Sequence, residues 1–359
     1  MRTDGVVDTK GGFEAELALP DRERPRASRP RIASARAAFS PSDRTKFAAE
    51  LGQEPIHNLI VTTKAPAVVS AIDAVKERLL PTSTILFMQN GMGIVEEVNR
   101  ELYPDPASRP NYMLGINSHG LNSNENFSVN HAGHGIISIG LVPRIPFSKL
   151  ADTATISMAY GSEPGEIWAP SSRYLLRTIL RTPVLAAVGL GPTDLLQAQL
   201  EKLAVNCLIN PLTVLLDAPN GAVLHNFSLS RVRMLLLAEI CSVIRALPEL
   251  KGIPSIDSRF MPQRLEAMAV HVASRTAENV SSMLADARRG MQTETEYMNG
   301  YIVRRGEEVG IKAVMNYMIM HLVHGKYQMI SREIDDYVPF PEMAAGKVRD
   351  LGESEEEEL

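Results

Sequence analysis

The sequence predicts an α/β domain followed by an all-helical one, and three observations carry that prediction. Short runs of branched residues alternate with helical stretches between His57 and Leu102. Beyond Gly191 every long apolar pattern has helical period. The stretch Val188-Gly189-Leu190-Gly191-Pro192 separates the two regimes. A length of 359 residues is generous for one core and suits two.

The elements follow in order. Between Pro20 and Pro41 arginine, proline, serine and alanine alternate without apolar periodicity, so this segment cannot offset its chain entropy by burial. A solvated loop is the expectation, and a basic docking strip the alternative. Order begins near His57. Residues 57–63 form a strand pattern. Residues 66–80 follow as a helix, with Val69, Ile72, Val75 and Leu79 on one face. Residues 84–88 are a second strand, Asn90-Gly91-Met92-Gly93 a turn, and residues 94–102 a helix. Strand, helix, strand, helix at this spacing implies parallel strands joined by crossovers. Residues 112–116 and 135–140 are further strand-like runs. The helical half comprises residues 194–217, 228–247, 264–283, 293–309 and 313–329. The expected division is 1–56 as an N-terminal remnant, 57–190 as the α/β domain, 191–342 as the helical domain and 343–359 as a solvated acidic tail.

Composition excludes several classes. A net charge of −5 argues against a general nucleic-acid binder, which needs a basic excess. No apolar run approaches the ~18–20 residues that cross a bilayer. The start lacks the apolar core of a secretory signal. Cys207 and Cys241 sit among apolar residues, as buried inert thiols do in a reducing compartment. Cytoplasm is the expected location, with the mitochondrion as runner-up.

Dinucleotide sites announce themselves with a strand, G-x-G-x-x-G and a helix, because glycines let the backbone approach a pyrophosphate. Nothing before His57 fits this pattern. Gly189-Leu190-Gly191-Pro192-Thr193-Asp194 ends in an acid that repels phosphate, and Thr193 or Asp194 serves better as a helix cap. Gly91-Met92-Gly93-Ile94-Val95-Glu96 is followed by two acids in the first helical turn, which suit the helix dipole and discourage phosphate. That turn still suits close backbone approach to the less charged end of a cofactor.

The most informative segment is Lys202-Leu203-Ala204-Val205-Asn206-Cys207-Leu208-Ile209-Asn210-Pro211. Positions four apart drift only about 40° around a helix, so Lys202, Asn206 and Asn210 share one face. Everything between them is apolar or small. Burying such groups unmatched costs on the order of 1–3 kcal/mol each, so they must meet water, a structural partner or a ligand. A solvent-facing stripe is one reading. A polar cleft is the other, and two mid-helix asparagines, poor helix formers, speak for it. Asn220 in Pro219-Asn220-Gly221 suits a turn. Glu294 is four before Met298 and seven before Tyr301, which puts a carboxylate on the apolar side of its helix or, more blandly, at a dipole-favoured first turn. Glu296 points elsewhere, towards solvent.

Taken together, Lys202-Leu-Ala-Val-Asn206-Cys-Leu-Ile-Asn210-Pro-Leu-Thr, Asn220-Gly, Ser281-Ser282-Met-Leu and Glu294-x-x-Tyr-x-Asn-Gly-Tyr resemble the ketopantoate reductase (2-dehydropantoate 2-reductase) family. Gln89-Asn90-Gly91-Met92-Gly93 and Thr63-Lys64-Ala65 are similar to its nucleotide-domain motifs, and Leu247-Pro248-Glu249-Leu250 with Gly252-Ile253-Pro254 resembles fungal members. The likeness covers roughly residues 64–326. It implies a Rossmann-type domain, here incomplete, then a helical domain with the cleft between them. It also implies NADPH-dependent reduction of ketopantoate to pantoate, toward pantothenate and coenzyme A. By that likeness Lys202 is the general acid. Asn206, Asn210, Asn220 and Ser282 hold the substrate, while Lys64, Asn90, Leu121 and Glu294 line the cofactor site, Glu294 also lying near the lysine. The implied partner is a small 2-oxo acid, and a homodimer is compatible. The family's opening strand and glycine loop have no counterpart in residues 1–56. The expectation is therefore an incomplete gene model of a working enzyme or, alternatively, a non-catalytic binding or dimerisation protein on the same scaffold.

Overall fold

A computed structural model describes residues 2–3, 6–7, 54–125, 128–143, 168–224 and 226–336. The arginine- and proline-rich segment and the acidic tail lie outside the described residues. The described residues form two sheets. β1 (Arg2–Thr3) and β2 (Val6–Val7) join the hairpin of β6 (Gly120–Glu125) and β7 (Ser128–Gly133) in the order β2-β1-β7-β6. The larger sheet runs β3 (Ile56–Val61), β4 (Leu79–Phe87), β5 (Asn111–Asn117), β8 (Ile137–Leu141) and β9 (Ala187–Gly189). β3, β4 and β5 are mutually parallel, as the alternation implies. β8 is antiparallel to β5, and β9 parallel to β8.

The helix expected over 66–80 is a correction. A 3-10 turn at Ala65–Ala67 leads into α1 (Val68–Asp73), a second 3-10 turn follows at Lys76–Arg78, and Leu79 already belongs to β4. The reason is tertiary: Leu79 pairs with Ile56 in the β3–β4 ladder and is buried there, and pairing outweighs its place in the helical pattern. α2 (Ile94–Glu101) follows the glycine turn as expected, and α3 (Pro170–Leu180) covers the sheet. The hairpin of β6 and β7 and the helix α3 had no expected counterpart.

The helical half holds α4 (Pro192–Leu216), α5 (Phe227–Ala246), α6 (Ile256–Arg259), α7 (Pro262–Arg275), α8 (Ser282–Arg288), α9 (Asn299–Glu308) and α10 (Val314–Asp336). Gly191, not Thr193 or Asp194, is the N-cap of α4, with Pro192 pre-set for the first helical position. The single helix expected over 264–283 breaks after Arg275. The Thr276 hydroxyl turns back onto the Val272 carbonyl, and Ser281 caps α8 by accepting from Leu284 N–H at 3.1 Å. The helix expected over 293–309 also breaks: Thr295–Tyr297 is a 3-10 turn, Met298 is non-helical and α9 starts at Asn299. α4 is the central member of this half, its buried Leu200, Leu203 and Leu208 meeting Leu236, Ile240 and Ile302 in one core. Cys207 and Cys241 are buried free thiols, and burial pushes both thiol pKa values up, Cys241 to about 11.

Candidate active site

Lys202 leaves α4 on the face predicted for it and reaches the α/β half. Its Nζ donates to Asn90 Oδ1 at 2.9 Å and to the Asn117 carbonyl at 2.9 Å. Asn90 sits on the turn after β4, and Asn117 ends β5. The lysine therefore meets the carboxyl ends of two parallel strands, where crevices in open α/β sheets form. Asn90 Nδ2 in turn lies 3.4 Å from Glu294 Oε2. The other oxygen of Glu294 accepts from Ala65 N–H at 3.1 Å, and Lys64 Nζ lies 4.0 Å from the same carboxylate.

Glu294 is almost fully buried, at 3% exposure. It reaches that position as the residue ahead of a 3-10 turn and not from within a long helix, which corrects the placement expected from its spacing. Glu296, half-exposed as expected, lies near Arg304 and His324. Burial pulls the Lys202 ammonium down to about 8, while the Glu294 charge pulls the other way. A lysine balanced so can give up its proton near neutrality.

The turn that carries Asn90 is held from both sides. Gln89 Nε2 donates to the Val61 and Thr63 carbonyls at 2.8 and 3.0 Å. Gly91 has φ +82°, and a Cβ there would collide with the backbone of Tyr297. Met92 N–H donates to the Tyr297 carbonyl at 2.8 Å, and Tyr297 Oη to Glu97 Oε2 at 2.8 Å. Close backbone approach is thus what Gly91 provides, and the backbone it approaches is the chain's own, across the two halves. A cleft open to solvent runs beside this turn past Gly91, Gly93, Leu195 and Gln199; Lys202 and Glu294 do not line it.

The remaining expected residues divide. Asn206 is half-buried on the Lys202 face, and Asn210 is buried with its Nδ2 at 3.6 Å from Met298 Sδ. Asn220 is pinned by the break after α7: its N–H donates to the Asn279 carbonyl at 3.0 Å, and its Nδ2 to Thr276 Oγ1 at 2.9 Å. Its Oδ1 is buried with no hydrogen-bond partner among the described residues. Ser282 is exposed at the start of α8, whereas its neighbour Ser281 is spent on the helix cap and on Thr213 at 2.7 Å. Leu121 is exposed on β6, just beyond the Asn117 turn. Two contributors escaped sequence reasoning. Asn117 acts through its backbone, which leaves no side-chain signal. Asp286, buried and 2.7 Å from Lys64 Nζ, was readable as the residue one helical turn after Ser282.

Comparison with known proteins gives the family and the fold. The family model described as ketopantoate reductase PanE/ApbA matches residues 23–144, and its C-terminal counterpart matches residues 194–327. The 2-dehydropantoate 2-reductase of Shigella flexneri is 30% identical over 271 residues, covering 75% of this chain and 73% of that protein. The chain belongs to the ketopantoate reductase family. A Schizosaccharomyces pombe protein named "Probable 2-dehydropantoate 2-reductase" is 29% identical over 279 residues, 77% of this chain and 76% of its own length. Among solved structures, the PanE/ApbA family ketopantoate reductase from Ralstonia eutropha shares the fold with a TM-score of 0.56 at 20% identity, covering 77% of this chain and 78% of that one. Like the rest of the family, the chain is an NAD(P)-dependent oxidoreductase with an α/β half and a helical half. No helix among the described residues is long and apolar enough to cross a membrane.

Proposed function

We propose that this chain reduces 2-dehydropantoate (ketopantoate) to pantoate with NADPH, in the cytoplasm, as a step toward pantothenate and coenzyme A. The observation that carries the reading is Lys202, whose ammonium rests on two neutral acceptors while the Glu294 carboxylate stands behind Asn90. Hydride arriving at a ketone carbon builds negative charge on oxygen. An ammonium aimed at that oxygen stabilises the charge and delivers the proton. Glu294, fixed by Ala65 and Asn90, keeps the ammonium charged against the pull of burial.

The substrate's hydroxyl and carboxylate fall to Asn206, Asn210, Asn220 and Ser282, neutral groups that orient an anion without quenching the lysine. The orphaned, buried Asn220 Oδ1 suits a substrate hydroxyl. The cofactor supplies the hydride when bound. The donor set fits its nicotinamide–ribose end: the Lys64 cation, the Asn90 amide, the Glu294 carboxylate and the backbone of the exposed residue Leu121 can match an amide and ribose hydroxyls. Among the described residues no G-x-G-x-x-G cradle accompanies them. The reading divides the chain near residue 190, nucleotide side before and substrate side after, and includes a homodimer.

The test is NADPH oxidation by the purified chain with ketopantoate, alongside fluorescence titration of NADPH and NADH. Saturable turnover and tighter NADPH binding are expected. Absence of NADPH binding up to millimolar concentration would refute catalysis.

A further inference from the structure

The role given to Lys202 depends on a backbone carbonyl, that of Asn117, and something must aim it. Asn117 Oδ1 accepts from the His119 N–H at 2.9 Å, which folds the strand end into a tight turn. Among the described residues the His119 ring then makes three polar contacts. Its Nε2 is 2.9 Å from the Leu185 carbonyl, and its Nδ1 is 3.1 Å from the Gly135 N–H and 3.0 Å from His131 Nε2.

These partners fix the protons. A carbonyl only accepts, so His119 Nε2 carries hydrogen. An amide N–H only donates, so His119 Nδ1 offers a lone pair, and His131 Nε2 must be the donor to it. His131 is 5% exposed, and its Nδ1 has no partner among the described residues.

The position of this ring matters as much as its protons. Leu185 closes the 3-10 turn Pro183–Leu185, just ahead of β9 and of α4, the helix that bears Lys202. Gly135 follows the β6–β7 hairpin, and His119 itself follows β5. One imidazole therefore joins the strand that offers the carbonyl to the segment that leads into the lysine's helix.

We propose that His119, held in its Nε2–H form by Leu185, Gly135 and His131, is the positioning residue that aims the Asn117 carbonyl at the Lys202 ammonium. The inference rests on the reading of Lys202 as proton donor and deepens it. His119 acts only through Asn117. A carbonyl accepting from an ammonium stabilises the charged form, and tilting it away adds to the effect of burial.

The test uses the full chain and two readouts. pH-dependent acylation of amines by acetic anhydride, followed by mass spectrometry of the Lys202 peptide, gives the lysine's titration midpoint whether or not the protein turns over. The pH profile of kcat/KM with ketopantoate and NADPH gives the catalytic counterpart. The wild-type midpoint is expected at about 8. In His119→Ala it falls by about half to one pH unit. kcat drops about tenfold, with KM for NADPH within about twofold. His119→Gln places an amide nitrogen near the Nε2 position, regains the Leu185 bond and recovers most of both. If the alanine form does not fold, His119→Asn, which keeps an acceptor for Gly135 and His131, carries the test with an intermediate fall. An unchanged midpoint in the folded variant overturns the proposal, and so does equal loss of kcat in the alanine and glutamine forms. A wild-type chain that binds NADPH but leaves ketopantoate untouched would sink the functional reading alone, because the labelling midpoint still decides the role of His119.

Discussion

Glu201 and Lys202 are neighbours on α4, both charged and both drawn out of water, yet they are treated in opposite ways. Glu201 is 8% exposed and receives two arginines: Arg259 binds both its oxygens at 2.9 and 2.8 Å, and Arg264 adds a contact at 2.5 Å. Burial would raise its pKa, and the arginines outweigh that and leave it lowered. Lys202 meets two neutral oxygens and only a second-hand carboxylate, and its pKa falls. A fully matched charge holds structure. A charge left under-compensated keeps a proton it can give away.

Removing each charge should break the molecule differently. Lys202→Ala takes away the proton donor and the positive charge at the developing oxyanion, so kcat should fall about 10³-fold or more. NADPH affinity by fluorescence titration should stay within about threefold. Retained turnover would end the case for this lysine. Glu201→Ala leaves two arginines without their acid. The cost should be about 1–3 kcal/mol, discounted from a fully buried pair because Arg259 and Arg264 are partly exposed. A lower denaturant midpoint with kcat near wild type is the expected outcome, and a loss of kcat without loss of stability would contradict the division of labour.

The pH dependence sharpens the same contrast. The donating proton exists only below the Lys202 pKa, so reduction should be level below about pH 8 and fall about tenfold per unit above it. Glu294 holds that value up, so Glu294→Gln should move the descending limb to lower pH. Glu201→Gln should leave the limb in place, since its charge is already matched by Arg259 and Arg264. A shared shift in both variants would mean that the two charges are one network.

Much of this was legible in the amino acids, and the reasons are physical. The four-residue spacing of Lys202, Asn206 and Asn210 survives because a long buried helix keeps its period, and the parallel core of the sheet follows from alternation alone. What failed were continuous helices over 66–80, 264–283 and 293–309. Each breaks where a tertiary partner takes over a backbone group or a whole strand: Ile56 pairs with Leu79, the Asn220 turn bonds Asn279 and Ala277, and Met92 bonds Tyr297. Those breaks pin Asn220, the proposed substrate residue, and set Glu294 beside Asn90, so the sequence pattern is least reliable where tertiary contacts bend the chain.

The smallest effect concerns the acid that periodicity nearly revealed. Asp286 pairs with Lys64 at 2.7 Å, but the lysine side chain is 37% exposed, so the pair contributes under about 1 kcal/mol to stability. Its interest lies in competition. Lys64 is the cation assigned to the cofactor, and an acid holding it makes the amine less available to an anionic ligand. Asp286→Asn keeps the shape and removes the charge, leaving Lys64, among the described residues, its longer contact with Glu294 at 4.0 Å. KM for NADPH should then fall about two- to threefold, with kcat and the descending pH limb unchanged, and the gain should shrink as salt rises. A KM that does not move would separate Lys64 from the cofactor. A limb that moved with it would place Asp286 beside Glu294 among the charges that set the lysine's proton.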